Sequence, residues 1–139
     1  MKKKAIISVS SKQKSDENDV IEVVTPGDFY EKDGSYYAVY KETEISGMEG
    51  TTTTLKISDD KFSIIRIGST SAKMEFDKKA KSVSMYNTPY GTLELKIETK
   101  TLSVNVGEKG GDIQVNYNLT VSGQTPNNTQ LKINIKAQE

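Results

Sequence analysis

The stretch DIQVNYNLTVSG (Asp112–Gly123) places an apolar or aromatic residue at every second position. Successive side chains of a β-strand point to opposite faces, so this alternation predicts one strand with a buried side and a solvated side. Twelve residues without a break exceed the usual strand length of about five or six. Long strands joined by short turns favour a closed barrel, because closure removes exposed strand edges.

The same alternation recurs on both sides of this stretch, in residues 72–76, 93–97, 102–106 and 131–135. No window of the sequence fits a helical period better. Short segments rich in Gly, Asp, Asn and Pro separate the alternating runs and have the composition of hairpin turns. We therefore predict an all-β fold, in which an antiparallel meander over residues 1–139 closes into a single barrel of about 8–10 strands. The polar stretch 10–18 is predicted to be a loop between the first two strands.

Composition excludes several classes of function. Lysine plus arginine and aspartate plus glutamate number 19 each, so the formal net charge is zero. A nucleic-acid-binding domain is expected to carry a basic excess, and we predict neither nucleic acid nor a membrane as a partner. No apolar run reaches the length of a signal peptide or a membrane span, which predicts a cytoplasmic location. Cysteine is absent, so no disulfide bonds are expected.

Histidine is absent as well, which removes the usual catalytic groups. Without histidine and cysteine the chain has no Ser-His-Asp triad, no thiolate nucleophile and no imidazole proton shuttle. A zinc site would need three or four carboxylates, and no metal or other cofactor is predicted. Paired carboxylates can act as acid and base, but the five candidate glutamates are predicted to lie mostly on the solvated faces of strands: Glu42, Glu44, Glu75, Glu94 and Glu98. The prediction is a protein that is not an enzyme.

Arg66 is the only arginine in a chain that otherwise uses lysine. It lies in the segment FSIIRIGS and shares the parity of Phe62 and Ile64. One interpretation, which the sequence favours, is an arginine that points to solvent or pairs with a neighbouring carboxylate. The other is a buried cation at the floor or mouth of a cavity, where a guanidinium suits recognition of a carboxylate or phosphate.

The segment Thr88-Pro89-Tyr90-Gly91 fits a type I turn, with proline second and glycine fourth. We predict a hairpin there at one mouth of the barrel. The turn does not require Tyr86 and Tyr90. They either fill that end as ordinary core, which the sequence favours, or line a pocket with their hydroxyls facing a ligand. Four further tyrosines are candidates for the same pocket: Tyr36, Tyr37, Tyr40 and Tyr117.

Several segments together resemble the YwiB-like family of bacterial proteins of unknown function. They are GTTTTLKI (50–57), IIRIGS (64–69), AKMEF (72–76), YNTPYGTLELKIET (86–99) and VNYNLTVSG (115–123), in that order. The resemblance implies a lipocalin-like, or calycin-type, β-barrel and no established activity, substrate or cofactor. The family pattern includes positions matched by Arg66 and by the turn at 88–91, without an assigned role.

The leading hypothesis for function is a non-catalytic barrel that binds a small apolar or anionic ligand. Its predicted ligand-binding residues are Arg66, Tyr86, Tyr90, Tyr117 and Tyr40, with Thr88, Pro89 and Gly91 forming the turn at the mouth. The alternative is a structural or protein-interaction module with a filled core. A third hypothesis is an enzyme that uses only carboxylates, tyrosine and lysine. The sequence leaves the oligomeric state open.

Overall fold

The computed structural model describes residues 2–13, 16–46 and 48–138, with the side chains of 16–19 and 46 outside that description. These residues contain a 3₁₀ helix at Glu44–Ser46 and ten strands. The strands are β1 (Lys3–Gln13), β2 (Asp16–Lys32), β3 (Ser35–Lys41), β4 (Thr51–Ile57), β5 (Phe62–Gly68), β6 (Ala72–Phe76), β7 (Ser82–Thr88), β8 (Gly91–Gly107), β9 (Gly110–Val121) and β10 (Asn127–Ala137). No helix in the described part of the chain is long and apolar enough to cross a membrane.

The ten strands form one antiparallel sheet in the order β6-β5-β4-β3-β2-β1-β10-β9-β8-β7. The first and last strands pair over nine residues, from Ala5 opposite Ala137 to Gln13 opposite Thr129. The two sheet edges, β6 and β7, meet through isolated bridges and so nearly close the sheet into a barrel. This confirms the predicted antiparallel β-barrel and its meander, in which strands adjacent in sequence lie side by side.

The line between β6 and β7, called the seam below, is held only near its ends. Ser71 pairs with Asn87 at one end and Asp77 with Ala80 at the other, and no ladder joins the strands between these bridges. Backbone groups two residues apart on a strand point the same way. The amides of residues 73 and 75 on β6 and of 83 and 85 on β7, called the seam amides below, therefore lack a strand partner.

Turn chemistry fixes the register of the hairpins. Asp33 and Gly34 join β2 to β3 with φ angles of 52° and 81°. Two consecutive positive φ angles match the hairpin turn whose twist suits the flanking strands, and Asp-Gly is a preferred pair for it. The register continues from this turn with Tyr30 opposite Tyr37, and the two rings stack at 5.2 Å on the outer face. Every later inward-facing position on β3 follows from that pairing.

The predicted loop at 10–18 is wrong for the residues that the structure describes. Strand β1 continues through Gln13 and β2 begins at Asp16, while residues 14 and 15 lie outside the described ranges. Ser11 and Lys12 pair with β10, opposite Leu131 and Gln130. Pairing of the backbone with β10 satisfies its hydrogen bonds whatever the side chains are, so tertiary context outweighs the polar composition.

Aromatic and aliphatic side chains fill the barrel at one end, called the filled end. It carries the turns that join β2 to β3, β4 to β5, β6 to β7 and β8 to β9. Phe29, Phe62 and Phe76 are at most 2% exposed there. The rings of Phe62 and Phe76 stack at 5.5 Å, and Tyr117 meets Phe76 edge-on at 4.8 Å. Burial of each such side chain contributes roughly 1.5–3 kcal/mol. The opposite end is called the cavity end.

Candidate functional site

A cavity of about 200 Å³ lies inside the barrel toward the cavity end. Its lining combines aliphatic and thioether side chains with a small polar group. The lining residues are Val9, Ser11, Ile21, Val23, Tyr40, Glu42, Met48, Ile64, Arg66, Met74, Tyr117 and Leu131. A mostly apolar concave space with a few converging polar groups is the usual form of a small-molecule site.

Arg66 points into this cavity. On β5 it pairs with Thr53 of β4 and with Ala72 of β6, and both partners face the interior. Side chains directly across a ladder share a face, and the side chain of Arg66 is only 16% exposed. Arg66 therefore faces the same side of β5 as Phe62 and Ile64, as its shared parity with them predicts. The interpretation that Arg66 points to solvent is wrong, but its other form, pairing with a neighbouring carboxylate, is confirmed.

The carboxylate partner is Glu42, which follows directly after β3. Its Oε2 lies 3.8 Å from Nε of Arg66, and its side chain is only 3% exposed. Thr53 donates a hydroxyl hydrogen bond to it. The assignment of Glu42 to a solvated face was wrong, because the residue continues the inward parity of Tyr40 beyond the end of the strand. That parity was the signal in the sequence that could have found it.

Arg66 has few hydrogen-bond partners among the described residues. Its Nε is buried without a hydrogen-bond partner among the described residues. Its Nη1 donates to Sδ of Met74 at 3.6 Å, and a thioether is a weak acceptor. Glu42 is close enough to compensate the charge, but 3.8 Å exceeds hydrogen-bond length. A guanidinium with five donors thus lines a cavity in which few acceptors reach it.

Tyr40 and Tyr117 also line the cavity. Burial raises the pKa of Tyr40 far above the ordinary phenol range, and the Glu42 carboxylate raises it further, against an opposing effect of Arg66. Burial likewise raises the pKa of Tyr117, opposed by Arg66 and by a hydrogen bond from Thr129. Both phenols therefore stay protonated at neutral pH, as hydrogen-bonding groups and not as bases.

The remaining predicted residues except Gly91 line a second space, the mouth groove, of about 570 Å³ at the same end of the molecule. It is lined by Glu44, Glu49, Ser69, Thr70, Tyr86, Thr88, Pro89 and Tyr90. The predicted hairpin is present: β7 ends at Thr88 and β8 begins at Gly91. Hydroxyl Oγ1 of Thr88 accepts from the Tyr90 amide at 3.1 Å and donates to the Gly91 carbonyl at 2.9 Å. Tyr90 itself is 99% exposed and Tyr86 is half-buried.

The structure thus divides the predicted ligand-binding residues into two groups. Arg66, Tyr40 and Tyr117 meet at the interior cavity, whereas Tyr86 and Tyr90 meet at the mouth groove. Two other candidate tyrosines lie away from both spaces. Tyr36 stacks on Phe29 at 5.5 Å near the filled end, and Tyr37 stacks on Tyr30 outside the barrel. Within residues 2–13, 16–46 and 48–138, no group of three or more acidic side chains could hold a metal ion.

Comparison with known proteins gives a consistent result. A family model described as a domain of unknown function, DUF1934, matches residues 7–133. The uncharacterized beta-barrel protein YwiB of Bacillus subtilis (strain 168) is 29% identical over 106 residues, which are 76% of this chain and 73% of that protein. The crystal structure of the ywiB protein from Bacillus subtilis has a TM-score of 0.87 at 25% identity, over 99% of this chain and 94% of that one. The YwiB-like resemblance of the sequence is confirmed.

Proposed function

Because the chain belongs to DUF1934, a family of unknown function that includes YwiB-like β-barrel proteins, we propose that its barrel binds a small, largely apolar molecule at the interior cavity. One observation carries the proposal. An inward-pointing arginine whose side chain is 16% exposed lines a cavity of about 200 Å³ inside the barrel. A hydrogen bond between a charged donor and a bound acceptor contributes about 1.5–3 kcal/mol.

The lining suggests how such a molecule would lie. Ile64, Val23 and Leu131 offer aliphatic surface for an apolar body. Arg66 offers hydrogen bonds to a polar head, and Tyr40 stays protonated beside it. Binding inside a barrel in this way would be lipocalin-like, although this sheet has ten strands and lipocalins have about eight. The calycin relationship stays a prediction.

The proposed site binds and does not catalyse. The phenols of Tyr40 and Tyr117 stay protonated at neutral pH and the guanidinium of Arg66 stays charged, so none of the three is a base. Glu42 is already engaged by the hydroxyl of Thr53 and by the cation of Arg66. The cytoplasmic location and the exclusion of nucleic acid and membrane as partners stay predictions from the sequence.

A matched pair of valines tests the proposal. Val23 is buried and lines the cavity, whereas Val24 is 61% exposed on the outer face of the same strand. We expect apolar probes of about benzene size, titrated into the isotope-labelled chain, to shift the NMR amide signals around Arg66 and Leu131. Val23→Phe should fill the cavity and weaken binding at least about tenfold, and Val24→Phe should leave it unchanged. Equal binding by both variants, or no binding by the wild type, would refute the proposal.

The second candidate function, a protein-interaction module, draws on the outer face of β7. Val83 and Met85 point outward there and are 60% and 52% exposed, while polar side chains of the same strand point inward. A protein partner that the wild type binds and that Val83→Ser/Met85→Ser loses would favour this function. Binding unaffected by that change, together with loss of probe binding in Val23→Phe, would favour the cavity.

A further inference from the structure

We propose that Glu42 sets the charge of the ligand's head group, so that the cavity selects a neutral hydrogen-bond acceptor, such as a carboxamide, over a carboxylate of the same shape. The inference rests on the proposed function, because it assigns the ligand class of that same cavity. It makes Glu42 a specificity-determining residue, and it replaces the anionic ligand that Arg66 alone suggested.

The first step is that Arg66 is the donor-rich group of this cavity. Glu42 accepts a hydrogen bond from the hydroxyl of Thr53. Among the described residues, Nη1 of Arg66 donates to the weak acceptor Sδ of Met74, and Nε has no hydrogen-bond partner. A ligand head beside the guanidinium must therefore accept hydrogen bonds, which both a carboxamide oxygen and a carboxylate can do.

The second step is charge. Glu42 lies 3.8 Å from Arg66 and compensates its positive charge. A ligand carboxylate hydrogen-bonded to Arg66 would lie roughly 6 Å from Glu42, one hydrogen bond beyond that separation. At an effective dielectric constant of about 20, the repulsion between two carboxylates at this distance weakens binding about 100-fold. Arg66 attracts the same anion, so the repulsion from Glu42 only offsets that attraction. The anion would also lose its hydration on entering, at a cost of several kcal/mol, and this cost favours a neutral acceptor, which does not meet it.

The third step concerns protons. If a carboxylate does bind, one proton must neutralise either the ligand or Glu42. The titratable groups that line the cavity with Glu42 are Tyr40 from β3, Arg66 from β5 and Tyr117 from β9. Arginine stays protonated, and burial raises the pKa of both tyrosines, so neither supplies a charge change near neutral pH. Carboxylate binding should therefore weaken as pH rises, while carboxamide binding should not change.

Benzamide and benzoate are suitable probes. A cavity of about 150 Å³ in another protein holds benzene, so about 200 Å³ admits a ring with one small substituent. The two probes have the same shape and differ in charge at about pH 7. Glu42→Gln keeps an acceptor oxygen for Thr53 and removes the charge. Glu75→Gln is the matched control, because Glu75 is half-exposed on the outer face of β6.

The test titrates both probes into the full chain by NMR at about pH 7.5. We expect the wild type to bind benzamide at least about tenfold tighter than benzoate. In Glu42→Gln the ratio of the two affinities should move about 100-fold toward benzoate, and in Glu75→Gln it should not move. Without any substitution, benzoate affinity for the wild type should fall up to about tenfold per pH unit between about pH 4.3 and 6.3, the two units that a repulsion of about 100-fold spans above an ordinary carboxyl pKa, while benzamide affinity stays constant.

The outcomes separate this inference from the proposed function. Benzoate that binds the wild type as tightly as benzamide, independently of pH, would overturn the role of Glu42 and leave the binding cavity in place. So would an unchanged ratio in Glu42→Gln. If neither probe binds any variant, the proposed function fails as well. If Glu42→Gln does not fold, the pH series on the wild type decides alone.

Discussion

Replacing Arg66 by methionine should destabilise the fold more than removal of any exposed lysine. The change keeps an unbranched side chain of similar length and deletes the charge. It leaves Glu42 as a carboxylate whose side chain is 3% exposed and has no cation beside it. Loss of one member of a buried ion pair costs more than the pair contributes, because the surviving charge has lost its water and its partner.

The structure sets the size of this effect. Breaking buried pairs costs about 3–5 kcal/mol, and we expect about 3 kcal/mol, because the hydroxyl of Thr53 still hydrogen-bonds the carboxylate. Lys73 and Glu75 provide the comparison. Their charged atoms are closer, at 3.1 Å, but both side chains are more than half exposed. Pairs of that kind contribute about 0–1 kcal/mol, so burial decides the magnitude and distance does not.

Urea denaturation, followed by circular dichroism, measures both values. With a slope of about 2 kcal/mol per molar urea, Arg66→Met should lower the midpoint by about 1.5 M. Lys73→Met should lower it by less than about 0.5 M. The double variant Glu42→Gln/Arg66→Met should recover most of the loss, since it removes the unpaired charge. Equal midpoints for the two single variants would refute the claim that Arg66 neutralises a buried carboxylate.

Three further predictions concern the barrel itself. A Cβ added at Gly27 would lie 2.5 Å from the Val39 carbonyl oxygen. Gly27→Ala should therefore lower the free energy of unfolding, measured by urea denaturation, by about 2 kcal/mol or more. At Gly107 an added Cβ would have no atom within 4 Å, so Gly107→Ala should lower it by less than about 0.5 kcal/mol. The pKa of Tyr40 is raised in the folded state, so the unfolded chain loses the phenol proton at a lower pH. The free energy of unfolding should therefore fall as pH rises above about 10, by up to about 1.4 kcal/mol per pH unit. The slope should be shallower in Tyr40→Phe. The seam amides should exchange with deuterium faster than the amides of β9, which pairs on both sides; equal protection would contradict the gap between β6 and β7.

Much of the fold could be predicted from the sequence, because the decisive signal is local. Alternation in residues 112–123 specifies a long strand without reference to any partner, and β9 spans Gly110–Val121. The same period placed Arg66 with Phe62 and Ile64, and all three face the interior. Turn residues such as Asp33-Gly34 set the breaks between strands. These features depend on geometry within a few residues.

The parts that failed depend on contacts distant in sequence. Parity with Tyr40 predicts the inward direction of Glu42, but its partners Thr53 and Arg66 are brought to it only by the pairing of β3, β4 and β5. The polar stretch 10–18 was predicted as a loop, but β10 provides a strand partner for its first residues. Tyr86 and Tyr90 were grouped with Arg66 because they lie near one mouth, yet they line the mouth groove, where Tyr86 also packs against the core and Tyr90 is 99% exposed.

Nuclear Overhauser effects between bound benzamide and the methyl groups of the protein test directly whether the ligand binds at the interior cavity. Binding beside Arg66 predicts contacts from the probe to Val23, Ile64 and Leu131, whose side chains line the cavity. Contacts to Val24 or Val83, which point out of the barrel, would show that benzamide binds on the outer surface and would refute binding at the interior cavity.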